Sequence, residues 1–174
     1  MIAPDTKNWT WVLDRACAEC GYDAQAVDYA ALPELTLAAT ARIGAALQRA
    51  DAHVRPDEHT WSVLEYAAHV RDVCRLFDTR LALMLAGDGA VAPQFENWDQ
   101  DATAVAERYG EQDPAVVAAE LSVAAEQVAA AFAAVPADRL ELRGARSDGS
   151  LFTVTSLGRY FLHDLAHHAY DVRG

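Results

Sequence analysis

The sequence predicts an all-α fold, a four-helix bundle with a crossover before its last helix. Three observations carry this. Apolar residues recur at helical spacing over four long stretches. Helix-start signals open three of them: Pro33 at a first helical position, Ser62 with Glu65, and Asp113-Pro114. Glycine and proline interrupt the pattern between them. At 174 residues the chain fits a single domain spanning 1–174, with 1–32 as an N-terminal arm that packs on the bundle.

Within the arm, Asn8 to Gly21 reads as a short helix or an extended segment, with Trp9 and Trp11 packing on the bundle. Cys17 and Cys20 form a Cys-x-x-Cys that could bind zinc or exchange disulfides. Without a second cysteine pair or a strand-helix context, a structural or incidental role is the expectation. The first long helix runs from Pro33 through Leu37, Ile43 and Leu47 to about Asp51. His53 and His59 fall in the polar connection that follows and are expected in solvent.

Ser62 and Glu65 make a capping box, in which each side chain satisfies a backbone N–H at the other position, and the second long helix continues from there to about Leu85. His69 shares its inward stripe with Tyr66, Val73, Leu76 and Phe77, whereas Cys74 lies on another face as a buried small side chain. Gly87 to Gln100 is a long loop, and Asp99 or Asp101 either lines a pocket mouth or caps the short helix toward Tyr109. The third long helix carries Val117, Leu121, Ala124, Val128 and Phe132 and stops at Pro136. Leu140 to Thr155 makes a small hairpin or an irregular crossover, and Thr155 or Ser156 caps the last helix.

A net charge of −12 repels phosphate backbones and anionic lipid, which argues against nucleic acid and membrane surfaces as partners. No apolar run reads as a membrane span and the opening residues lack the regions of a secretion signal, so the expected location is cytoplasmic. Three cysteines make no disulfide framework.

The last helix carries the chemistry. His163 and His167 are four residues apart, on one face, and Tyr160 and Tyr170 flank them a turn away, which directs the imidazoles inward. His69 supplies a third imidazole from a facing helix. Three neutral imidazoles leave a tetrahedral metal one open position, the arrangement of a catalytic site. Carboxylates that could accept the second N–H of a ligand histidine are Glu65, Asp72 and Asp171, and Arg159 could receive an anionic substrate group.

On Trp61-Ser-Val-Leu-Glu-Tyr-Ala-Ala-His69, Trp98-Asp-Gln-Asp101 and His163-Asp-Leu-Ala-His167-His168, from about Pro33 to Asp171, the chain resembles the DinB/YfiT-like family of metal-binding four-helix bundles. That family is related to the N-terminal domain of mycothiol-dependent maleylpyruvate isomerases. The resemblance implies a metal held by His69, His163 and His167, with His168 outside the triad. It implies a divalent ion, zinc or nickel before iron or manganese, and a low-molecular-weight thiol of mycothiol type used in S-transfer or isomerisation. Hydrolysis by an activated water needs the same open position.

Two classes of function therefore stand: a metal-dependent enzyme on a small-molecule substrate, and a metal-binding protein with a structural or sensing role. A fourth ligand from His168, Cys74 or the Cys17/Cys20 pair favours the second. An apolar bundle face leaves room for a homodimer.

Overall fold

The computed structural model describes residues 8–87 and 89–173, so the first seven residues of the expected arm, and Asp88 in the long loop, lie outside the described residues. Four long helices are present: α1 (Leu32–Ala46), α2 (Val63–Ala86), α4 (Pro114–Ala133) and α5 (Val154–Asp171), with a short α3 (Gln100–Ala106) between α2 and α4. They form a bundle in which α4 packs on α1 and α2, while α5 packs on the opposite sides of the same two helices. Helices consecutive in sequence, α1 with α2, lie across the bundle rather than side by side. The diagonal is what brings α2 against α5.

Each start has a local cause. Ser62 Oγ accepts from the Glu65 N–H at 3.2 Å and Glu65 Oε2 accepts from the Ser62 N–H at 2.8 Å, the expected capping box. Asp113 accepts from Ala115 and Val116 ahead of Pro114. The last helix begins earlier than expected: Thr153, not Thr155 or Ser156, is its N-cap, and Ser156 completes the box from the third helical position. By length and composition α4 is apolar enough to cross a membrane, although the sequence showed no such run, because Glu120 and Glu126 interrupt it. It buries Val117, Leu121, Ala124, Val128 and Phe132 in the bundle core.

The Leu140–Thr155 stretch makes a hairpin of β2 (Arg143–Arg146) and β3 (Leu151–Thr153), and β1 (Gln94–Phe95) adds in parallel to β2. Gly144 sits opposite Phe152, and a Cβ there would fall 2.8 Å from both Met84 and Phe95, so only glycine lets the strand lie on α2. This small sheet covers one end of the bundle, and residues leaving β1 reach Trp98. The arm is built from 3-10 turns at Trp9–Leu13, Ala24–Ala26 and Tyr29–Ala31. It is pinned to α5 where Tyr22 Oη donates to the Arg159 carbonyl at 2.7 Å and Arg159 Nε donates to the Val27 carbonyl at 3.1 Å.

The α2 start sets the position of His69. Ser62→Ala removes the cap and should cost about 1 kcal/mol in denaturant unfolding. Burial pushes the Glu65 carboxyl up, but hydrogen bonds from Arg55 and Ser62 outweigh it and hold the pKa below the ordinary glutamate value. A depressed carboxylate stabilises above its unfolded pKa, about 4.3, and that contribution is lost as pH falls through the folded value. Parent stability should thus fall more steeply below about pH 4 than that of Glu65→Gln.

Candidate metal centre

Helix α5 carries two pairs at i, i+4 spacing, offset by one residue: His163 with His167, and Asp164 with His168. Successive helical residues are about 100° apart, so the pairs look in different directions. The Asp164/His168 pair faces α2, where His69 Nε2 lies 3.4 Å from Asp164 Oδ1 and His168 Nε2 lies 3.6 Å from the same oxygen. The His163/His167 pair faces the arm, with the Trp9 ring 5.6 Å from His163 and 5.3 Å from His167, centre to centre.

One ligand atom from each of His69, Asp164 and His168 lies within 4.8 Å of the other two. Tetrahedral ligands about 2.0–2.2 Å from a metal are about 3.3–3.6 Å apart, so the spacings of His69 and His168 to Asp164 Oδ1 fit one ion. The polar accounting fits as well. His69 is fully buried, yet its Nδ1 has no hydrogen-bond partner, and its Nε2 and Asp164 Oδ1 lie 3.4 Å apart without forming an aligned hydrogen bond. Such orphans are costly in a protein interior unless something binds them. The Trp98 ring stacks on His69 at 5.3 Å and 8°. His168 Nδ1 lies 2.9 Å from Asp171 Oδ2, a bond that puts the ring proton on Nδ1 and leaves the Nε2 lone pair toward Asp164 and His69.

Burial holds the His69 imidazole below its ordinary range, against the pull of Asp164. Burial pushes Asp164 up, but contact with His69 and the fields of His69, His168 and His163 outweigh it and keep the carboxyl below the usual range. A neutral imidazole beside an ionised carboxylate is the protonation state that metal ligation requires. His163, its pKa lowered to about 4 chiefly by burial, is neutral too.

The three histidines of the expected triad are distributed over two clusters. His69 meets His168, which the sequence reading placed outside the triad, and Asp164, which it did not consider. His163 and His167 meet Cys17 and Cys20 instead, all four ligand atoms lying within 4.8 Å of one another. The physical reason is rotational: α2 contacts α5 one residue further along than the His163/His167 register requires. Tyr170, expected to flank an inward face, is 55% exposed.

Among the supporting candidates only Asp171 touches a ligand of the first cluster, through His168. Glu65 is spent on the capping box and on Arg55. Asp72 binds Arg71 and accepts from Tyr109 Oη at 2.6 Å. Asp99 caps α3 through the Ala102 N–H and also lines a cleft. Arg159 holds the arm rather than a ligand. His59, expected in solvent, is exposed but stands at a cleft rim.

Two clefts of about 400 and 410 Å³ adjoin the first cluster and share the walls Trp9, Gln100, Asp101, Tyr160 and Asp164. His168 and His163 line one of them. At the far end of the other stand Arg80 and Arg146, 4% and 7% exposed, whose Nε atoms have no hydrogen-bond partner. Arg80 donates to the Glu96 carbonyl, and Arg146 donates to Asp148 and Tyr160. Burial, reinforced by the Arg146 charge, lowers the Arg80 pKa to about 10. The two guanidinium groups share this cleft with Asp99, Asp101, Asp148 and Asp164, and Asp148 pairs with Arg146 at 2.8 Å.

A family model described as DinB superfamily matches residues 33–172. Among solved structures the chain is similar to YfiT from Bacillus subtilis, a probable metal-dependent hydrolase with an unusual four-helix bundle topology. The TM-score is 0.70 at 17% identity, with 82% of each chain covered. No curated protein matches the chain significantly.

If His69 is a ligand, its stability contribution depends on the ion. In chelator, His69→Leu should unfold at a denaturant midpoint equal to or above the parent's, since an apolar side chain relieves the buried, unpartnered Nδ1. With added zinc the parent midpoint should rise and the variant's gain should be smaller. A variant much weaker than the parent in chelator would show that His69 has a structural role.

Proposed function

The chain belongs to the DinB superfamily, and from that premise we propose that it is a divalent-metal-dependent enzyme acting on a small anionic molecule, with His69, Asp164 and His168 as the ligands. The observation that carries the reading is fully buried His69, its Nδ1 unpartnered and its Nε2 converging with His168 Nε2 on Asp164 Oδ1 at 3.4 and 3.6 Å without an aligned hydrogen bond. Two imidazoles and one carboxylate suit zinc, nickel, iron or manganese, and three ligands leave a position open. An ion bound there supplies Lewis acidity and lowers the pKa of a water or thiol in that position.

The remaining roles fall to the chain itself. Asp171 holds the His168 tautomer, Trp98 shields His69 from water, and Arg80 and Arg146 receive the anionic group of the substrate. Asp101 lines both clefts and is the candidate base for a water nucleophile. Hydrolysis is the reading that the likeness to YfiT supports. A low-molecular-weight-thiol S-transferase or isomerase, as the mycothiol-dependent relatives imply, uses the same residues and is favoured by a different observation. Two adjoining clefts of about 400 Å³ give a thiol and an electrophile a compartment each, where hydrolysis needs only one.

The test is a substrate panel of anionic esters, amides and thioesters, assayed with and without a small thiol, on untagged protein reconstituted with zinc, nickel, iron or manganese. Thiol-independent turnover supports hydrolysis, and turnover only with thiol supports transfer. In either case His69→Ala, Asp164→Ala and His168→Ala should abolish it, and Asp171→Asn should weaken ion affinity by about 10- to 100-fold. Arg80→Met should raise KM more than it lowers kcat, because its contact is made in the ground state too. Full activity in all three alanine variants would overturn the proposal.

A further inference from the structure

The second cluster has a different chemistry from the first. Cys17 and Cys20 are three positions apart, with two residues between them, within a tight turn: the Gly21 N–H donates to the Cys17 carbonyl at 2.9 Å and the Cys17 N–H to the Tyr22 carbonyl at 2.8 Å. Gly21 closes that turn at φ +75°, a left-handed conformation that favours glycine. The turn presents both sulfurs to His163 and His167, and one ligand atom from each of the four residues lies within 4.8 Å of the other three. Cys17 Sγ is 3.7 Å from His167 Nδ1, whereas sulfur and nitrogen ligands of one tetrahedral zinc stand about 3.6 Å apart. Cys17, His163 and His167 are buried, and His163 Nε2 has no hydrogen-bond partner.

Pairs spaced Cys-x-x-Cys and His-x-x-x-His are the ligand pattern of closed structural zinc sites, in which four protein ligands leave no open position. We propose that Cys17, Cys20, His163 and His167 bind a second, structural zinc ion that fastens the N-terminal arm to α5. The site is separate from the His69, Asp164 and His168 cluster, and its ligands are soft sulfur and imidazole rather than imidazole and carboxylate. The cysteines are free thiols, so the alternative is a redox pair without metal. Closing this site holds Trp9 over both imidazoles, and Trp9 is a wall of both clefts.

The test uses the full untagged chain, stripped and reloaded with cobalt or zinc under reducing conditions. Cobalt should give the near-ultraviolet sulfur-to-metal charge-transfer absorption of a two-thiolate tetrahedral site in the parent and in His69→Ala. That absorption should be lost in Cys20→Ala and in His167→Ala. Zinc content should fall by one ion per chain in each of the latter two. A parent spectrum without the sulfur band, or a sulfur band and zinc content unchanged in Cys20→Ala, would overturn the proposal. The parent spectrum needs no variant to fold, and the His69→Ala result separates failure at this site from failure at the other.

Discussion

The arrangement turns on the rotation of one helix. An i, i+4 pair makes two side chains converge, and α5 carries two such pairs offset by one residue, so two faces of the same helix can each bring a pair of ligand atoms to a point. Which pair meets which partner is decided by packing. Because α2 packs side by side with α5, Asp164 and His168 receive His69, and the neighbouring face is left for the arm to cover. Rotating α5 by a single residue would dismantle both clusters.

The same constraint explains what was legible in the sequence. The starts of α2 and α4 were readable because their signals are local: Ser62 with Glu65, and Asp113 before Pro114, act within a turn. The inward direction of His69 followed from its stripe. The ligand grouping did not, because His163/His167 and Asp164/His168 have identical spacing, and choosing between them requires the angle at which α2 meets α5. Asp164 belongs to an i, i+4 pair with His168 that becomes a candidate only when carboxylates count as ligands beside imidazoles. The Cys17/Cys20 pair was foreseen as a source of a fourth ligand; that both cysteines meet His163 and His167, some 150 positions away, depends on how the arm folds onto α5, which no local signal carries.

The cleft mixes both signs of charge, Arg80 and Arg146 sharing its lining with Asp99, Asp101, Asp148 and Asp164. At −12 the chain as a whole repels anions, yet Arg80 and Arg146 stand almost wholly buried at one end of a cleft, each with an unpartnered Nε. Burying guanidinium groups is expensive, and their placement over Phe77, Phe95 and Phe152 offsets only part of that cost. The cost is rational where an anionic ligand completes the pairing. The sheet makes this possible: β2 delivers Arg146 to the cleft, and the close approach at Gly144 seats that strand on α2 near Arg80.

The family match begins at residue 33, so Trp9, Cys17 and Cys20 lie ahead of the shared bundle. That placement bears on which parts of the site are general and which are particular to this chain. His69, Asp164 and His168 all lie inside the matched region and need only the bundle to converge. The walls of the clefts need more. Trp9 borders both of them and is held there by an arm of 3-10 turns that buries Val12, Cys17 and Ala24. A short segment of 3-10 turns has little intrinsic stability, and its position depends on what ties it down. Tyr22 and Arg159 supply two hydrogen bonds, and four convergent sulfur and nitrogen ligands would supply a far stronger tie. With a metal in each cluster, as proposed, the closed one would support the open one: it would fix the Trp9 wall of both clefts, while the open position would lie on the other face of the same helix.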